Sequence, residues 1–145
     1  MSGDFFDPAL AAVATGLAGL SFAVLFQARP REFGWIVLAC MMASFGSAAG
    51  SAVLGPQLGA CGGALVLGLL SNAYSGGGKR PALVLLTPGI LLLVPGAVGY
   101  RALDLLLADD MLAGLQAGVQ MLIIATALVA GLLLANGILP PRRPL

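Results

Sequence analysis

Histidine is absent from this 145-residue chain, and only two cysteines occur, Cys40 and Cys61, both inside apolar runs. Those absences exclude histidine-ligated zinc, CxxC redox chemistry, Ser-His or Cys-His nucleophilic catalysis and a disulfide-stapled secreted fold. Charge is scarce as well. Seven basic and six acidic residues make up 9% of the chain, where soluble domains carry about 25%. A surface built from so few charges cannot hold a domain of this size in water. The net charge of +1 gives no electrostatic footprint for nucleic acid. Met1 to Pro8 holds Asp4 and Asp7 and no basic residue, so it does not read as a cleaved signal peptide.

What is present is apolar: 59% hydrophobic residues, 21 glycines and a mean hydropathy of +1.02. The fold class that follows is an all-α integral membrane protein. A spanning helix needs about 20 mostly apolar residues, and the charges divide the chain into five such runs. The first extends from about Pro8 to Phe26 and is closed by Arg29, Pro30, Arg31 and Glu32. The second, Phe33 to about Leu54, ends at Gly55-Pro56-Gln57. The third, about Leu58 to Ala73, ends in a glycine-rich turn before Lys79-Arg80-Pro81, which lacks the GKS/T of a phosphate-binding loop. The fourth, Ala82 to about Leu107, is interrupted by Pro88-Gly89 and again by Pro95-Gly96. The fifth, Met111 to about Leu139, follows Asp109-Asp110 and is longer than one bilayer thickness, so it tilts or emerges.

Charge placement tests that count. With five crossings, one side receives Arg29, Arg31, Lys79, Arg80, Arg142 and Arg143, six of the seven basic residues. The other receives Asp4, Asp7, Asp109 and Asp110. Positive-inside bias then predicts a cytoplasmic C-terminus and an N-terminus outside. Small residues supply the expected contacts between spans, with GxxxG spacing at Gly46/Gly50, Gly55/Gly59, Gly59/Gly63 and Gly114/Gly118, and with Ser44, Ser47 and Ser51 close together on the second run. Gln116 and Gln120 either bond to a neighbouring helix or line a polar path. Trp35 reads as an interfacial anchor, and the two cysteines as buried small hydrophobes.

The fourth run carries the most information. Each proline removes a backbone donor and crowds the preceding turn, and the glycine after it loosens the chain further. Two such breaks seven residues apart free carbonyls and amides at membrane depth, where they must face protein or a wet cavity. Broken helices of this kind build substrate sites in secondary transporters. The alternative is a proline-kinked helix that merely fits its neighbours. Arg101 and Asp104 follow at i, i+3 and can pair on one helix face. An arginine at mid-bilayer is costly, whereas one at the outer end of the span is less so.

The pattern Pro88-Gly89-Ile90-x-x-Leu93-Val94-Pro95-Gly96-x-x-x-Tyr100-Arg101 resembles the signature of the threonine/serine exporter family, in its C-terminal half. Phe22 to Gly34, with its Phe-x-x-x-Phe and basic-proline turn, and Lys79-Arg80-Pro81 are similar to that family as well. Leu92 stands where the family pattern commonly has a further proline. The resemblance implies a bacterial inner-membrane exporter of small polar metabolites, threonine and serine or dicarboxylates such as succinate, driven by the proton gradient and needing no cofactor. It implies that residues 1–145 form one transmembrane domain, half of a two-repeat transporter. A lone half lacks the repeat against which it would rock, so a large five-span partner subunit or a second copy is expected. The substrate-binding residues expected on this reading are Thr87, Pro88, Gly89, Pro95, Gly96, Tyr100, Arg101 and Asp104, with Arg101 drawing in a carboxylate. A second reading is an assembly subunit that scaffolds a partner without touching substrate. An intramembrane enzyme is disfavoured, because Asp104, Asp109 and Asp110 do not form a convincing carboxylate pair.

Overall fold

Each apolar run becomes helix. The computed structural model describes residues 8–55, 57–76, 81–94 and 96–140, and holds no strand among them. In chain order the helices are α1 (Pro8–Leu25), α2 (Phe33–Leu54), α3 (Gly59–Gly76), α4 (Leu83–Leu93), α5 (Gly96–Leu107) and α6 (Met111–Ile138), with a short 3-10 turn at Pro30–Glu32 before α2. Asp4, Asp7, Pro56, Lys79, Arg80, Pro95, Arg142 and Arg143, used above for topology, turns and the candidate site, lie outside the described residues.

Local chemistry explains the boundaries. Pro30 opens the 3-10 turn, where its missing N–H costs nothing. Gly55 ends α2 at φ 93°, a conformation that side chains rarely adopt, and its N–H donates to the Ser51 carbonyl. Asp110 caps α6 by accepting from the Ala113 amide at 3.2 Å. Three segments are long and apolar enough to cross a membrane: 30–53, 83–107 taken through its break, and 111–138. The apolar part of α1, Leu10–Leu25, is shorter.

Two breaks were expected in the fourth run, and only one interrupts it. Helix α4 passes through Pro88, which is fully buried, and the interruption lies between Leu93 and Gly96. Packing accounts for the difference. Gly89 sits against the Leu67 side chain of α3, where a Cβ would overlap it, so the turn that carries Pro88 is held from outside.

Helix α3 is the centre of the bundle, in contact with α2, α4 and α6. On the α2 face the backbones nearly touch: a Cβ on Gly62 would lie 2.7 Å from the Gly46 carbonyl oxygen, and one on Gly50 3.0 Å from that of Gly59. On the α6 face, a Cβ on Gly131 would collide with the Cys61 carbonyl. The Gly46/Gly50 and Gly59/Gly63 pairs therefore act as expected. Gly55/Gly59 does not form a helix face, because Gly55 lies outside both helices, and Gly114/Gly118 is split, since Gly114 meets Leu106 while Gly118 faces open space. Helix α6 buries Gly114, Ala117, Gly131 and Ala135 and exposes Leu112, Leu115, Leu122 and Leu133. Small residues inside and large ones outside is the order that lipid favours.

Candidate functional site

Two grooves lie at the two ends of α4. The first, of about 520 Å³, is bounded by the turn after α1 and the start of α4; Arg29, Glu32, Thr87 and Pro88 line it. The second, of about 550 Å³, lies where α4 gives way to α5 and is lined by Thr15, Ser44, Ser47 and Ser51 together with Leu92, Leu93 and Val98. Ile36 lines the first groove and Ser44 the second, eight residues apart on α2, or about 12 Å of helix. An apolar cluster lies between them: Ala23, Ile36 and Cys40, with Val84 and Leu92 packed on it. Gly19 lets α1 close on this cluster, since a Cβ there would stand 3.2 Å from the Val37 Cα.

The break between α4 and α5 is defined by its hydrogen bonds. The Val94 amide still donates to the Ile90 carbonyl, but the Gly96 amide turns back to Val94 at 2.7 Å. The Leu92 carbonyl thus loses the amide four residues on. So does Leu91, because residue 95 is proline and has no N–H.

The expected site residues divide into groups. Thr87 and Pro88 line the first groove, and Gly89 is buried beside them against Leu67. Gly96 opens α5 at the edge of the break, while Pro95 lies outside the described residues. Tyr100, Arg101 and Asp104 are exposed on α5 and line neither groove. No ion pair joins Arg101 to Asp104 among the described residues, since on an exposed face little holds two such side chains in one geometry. The opposite face of α5 packs on α6, with Ala102 buried, Gly99 against Met121 and Leu106 against Gly114.

Sequence reasoning did not single out the polar pair at the other end of the bundle. Asn72, 5% exposed, donates from Nδ2 to Asn136 Oδ1 at 2.9 Å and to the Leu139 carbonyl at 2.7 Å, joining α3 to α6. An asparagine within an apolar run was the available signal. The serines of α2, expected at a helix contact, line the second groove instead. Gln116 and Gln120 are exposed on α6 and line neither groove, Cys40 is buried, and Cys61 is partly so. Trp35 is 42% exposed, and its ring lies tilted against that of Tyr74 with centroids 5.3 Å apart.

Comparison with known proteins adds one match: residues 11–138 fit the family described as threonine/serine exporter, ThrE. No curated protein and no solved structure matches the chain at a significant level.

Proposed function

The chain belongs to the threonine/serine exporter family, and from that premise we propose that it is one half of a secondary exporter of small polar metabolites, working with a partner subunit in a bacterial inner membrane. The family gives the coarse role, membrane transport. The observation that supports the finer reading is the pair of grooves at the ends of α4, with an apolar cluster between them that spans about 6 Å of α2, from Ile36 to Cys40. Two openings with an apolar barrier between them suit alternating access, in which one groove is open while the other is shut. With the C-terminus in the cytoplasm, the first groove opens inward and would receive substrate beside Arg29 and Thr87. The second groove lies towards the outer face.

Tyr100, Arg101 and Asp104 fit this reading as a flank of α5 that a partner subunit covers, with Arg101 drawing a carboxylate towards the outward path. Their exposure on the isolated chain equally favours a second reading, an assembly subunit whose α5 contacts a catalytic partner and whose grooves stay empty. Transport of labelled threonine, serine and succinate, measured with the chain alone, the partner alone and both, separates the two. Export that requires both chains and fails when the first groove is blocked supports the exporter half. Export by the partner alone at the full rate would overturn it.

A further inference from the structure

We propose that the outward side of α6 binds a second copy of this chain, in a parallel pair of helices whose register Gln116 sets. Such a pair is independent of what the chain transports, and it leaves α5 free for the partner subunit. Most of α6 keeps small residues inward and large ones outward, but one exposed stripe breaks that order. Gln116, Ile123, Ala130 and Gly137 recur at every seventh position, and all four are exposed. Val119, Thr126 and Leu133 follow three residues after the first three and are exposed as well. An alternation of three and four, kept over three heptads, is the seam of a left-handed helix pair. The adjacent stripe shows the contrast. Leu115, Leu122 and Val129 repeat at the same spacing, are large and apolar throughout, and suit acyl chains. On the seam Ala130 and Gly137 permit a close approach, and a Cβ on Gly137 would meet nothing within 4 Å. The seam also lies roughly half a turn around α6 from Gly114 and Met121, which face α5.

The glutamines say what covers this side. Gln116 and Gln120 are exposed one helical turn apart and have no hydrogen-bond partner among the described residues. The exposed apolar side chains of Leu107 and Met111 hold the α5–α6 turn at the edge of the hydrocarbon. Measured along the helix from Met111, Gln116 then lies about 8 Å and Gln120 about 14 Å into the span. An unbonded amide facing lipid at that depth is costly. A primary amide donates and accepts at once, so it is complementary to its own copy across a two-fold axis. One polar residue at a heptad position is also the device that fixes register and partner number in paired helices. No charged residue lies on the seam to be left unpaired. A second copy meets these demands together, since it brings the same amide to the same depth.

The test is energy transfer between donor- and acceptor-labelled copies of the full chain in phosphatidylcholine vesicles, titrated by dilution with lipid. The wild-type chain associates as a dimer. Gln116→Leu weakens that dimer about 3- to 15-fold, the loss of one interhelical hydrogen bond. Ala130→Leu, which puts bulk on the seam, weakens it too, and Leu122→Ala on the adjacent stripe does not. All three side chains are exposed, so each variant keeps the wild-type circular dichroism spectrum and unfolding midpoint. A short thiol crosslinker joins copies that carry Val119→Cys. It joins neither copies that carry Leu122→Cys nor the wild-type chain, which controls for Cys40 and Cys61. Energy transfer no greater than chance proximity at every dilution would overturn the proposal, as would a dimer that Gln116→Leu and Ala130→Leu both leave intact. A crosslink at position 122 with none at 119 would overturn it as well. Each of those results leaves the exporter reading standing, because export with the partner subunit is measured separately.

Discussion

Asn72 shows what one polar side chain does where water is scarce. Its amide holds two acceptors, Asn136 Oδ1 and the Leu139 carbonyl, across 64 and 67 residues of chain. Interhelical hydrogen bonds in membranes are each worth about 0.6 kcal/mol on average and up to about 1.7. Asn72→Ala should therefore cost about 1–3 kcal/mol in a reversible detergent-unfolding titration, and a double-mutant cycle with Asn136→Ala should show coupling. Additive effects would mean that the contact contributes nothing. Arg101 poses the contrasting case, a charge with no ion pair among the described residues on an exposed face. If it draws the substrate carboxylate, Arg101→Ala should nearly abolish export. Arg101→Lys, which keeps charge but loses the planar fork, should lower it, and Asp104→Asn should fall between. Initial export rates at matched membrane abundance decide the matter, and a wild-type rate for Arg101→Ala removes the residue from the site.

At the scale of elements, glycine decides which helices approach. A Cβ on Gly62 meets the Gly46 carbonyl oxygen at 2.7 Å and the Gly50 Cα at 3.1 Å, whereas one on Gly118 meets nothing within 4 Å. Both substitutions to alanine raise helix propensity by up to about 1 kcal/mol. Gly62→Ala should nevertheless destabilise the bundle by about 1–3 kcal/mol through forced separation of α2 and α3, while Gly118→Ala is neutral or better. The same unfolding titration checks the pair. Helix boundaries were legible in the sequence because charges, Gly55 and the second Pro-Gly pair punctuate the apolar runs. Pro88 was misleading because its effect depends on Leu67 and the buried surroundings of α4, which no local pattern encodes. Of the residues expected in a site on the fourth run, Thr87 and Pro88 line a groove, while Tyr100, Arg101 and Asp104 line neither. The groove on α2 was not legible, because which face of Ser44 and Ser47 meets a cavity is fixed by contacts among α1, α2, α4 and α5 that are distant in sequence.

For the whole molecule, the distribution of charge makes orientation testable. Reporter fusions after Arg80 and after Arg143 should both report cytoplasm, because the five-run count places both with the basic loops. A periplasmic signal at either position removes the five-span topology. The lengths of the helices carry a further consequence. The apolar stretch of α1, Leu10–Leu25, reaches only about 24 Å, while the 28 residues of α6 reach about 42 Å. A hydrocarbon layer of about 30 Å cannot match both. The described part of α1 falls short of that thickness and α6 exceeds it, so the expected adjustment is a tilt of α6, at fractions of a kcal/mol per Å. The expected consequence is a difference in preferred bilayer thickness between the two flanks, the thinner beside α1, whose Thr15 lines the serine-bearing groove. Export should then vary with acyl-chain length in reconstituted vesicles, fastest in shorter-chain lipids that relieve the strain at α1 and slowing as the bilayer stiffens and thickens.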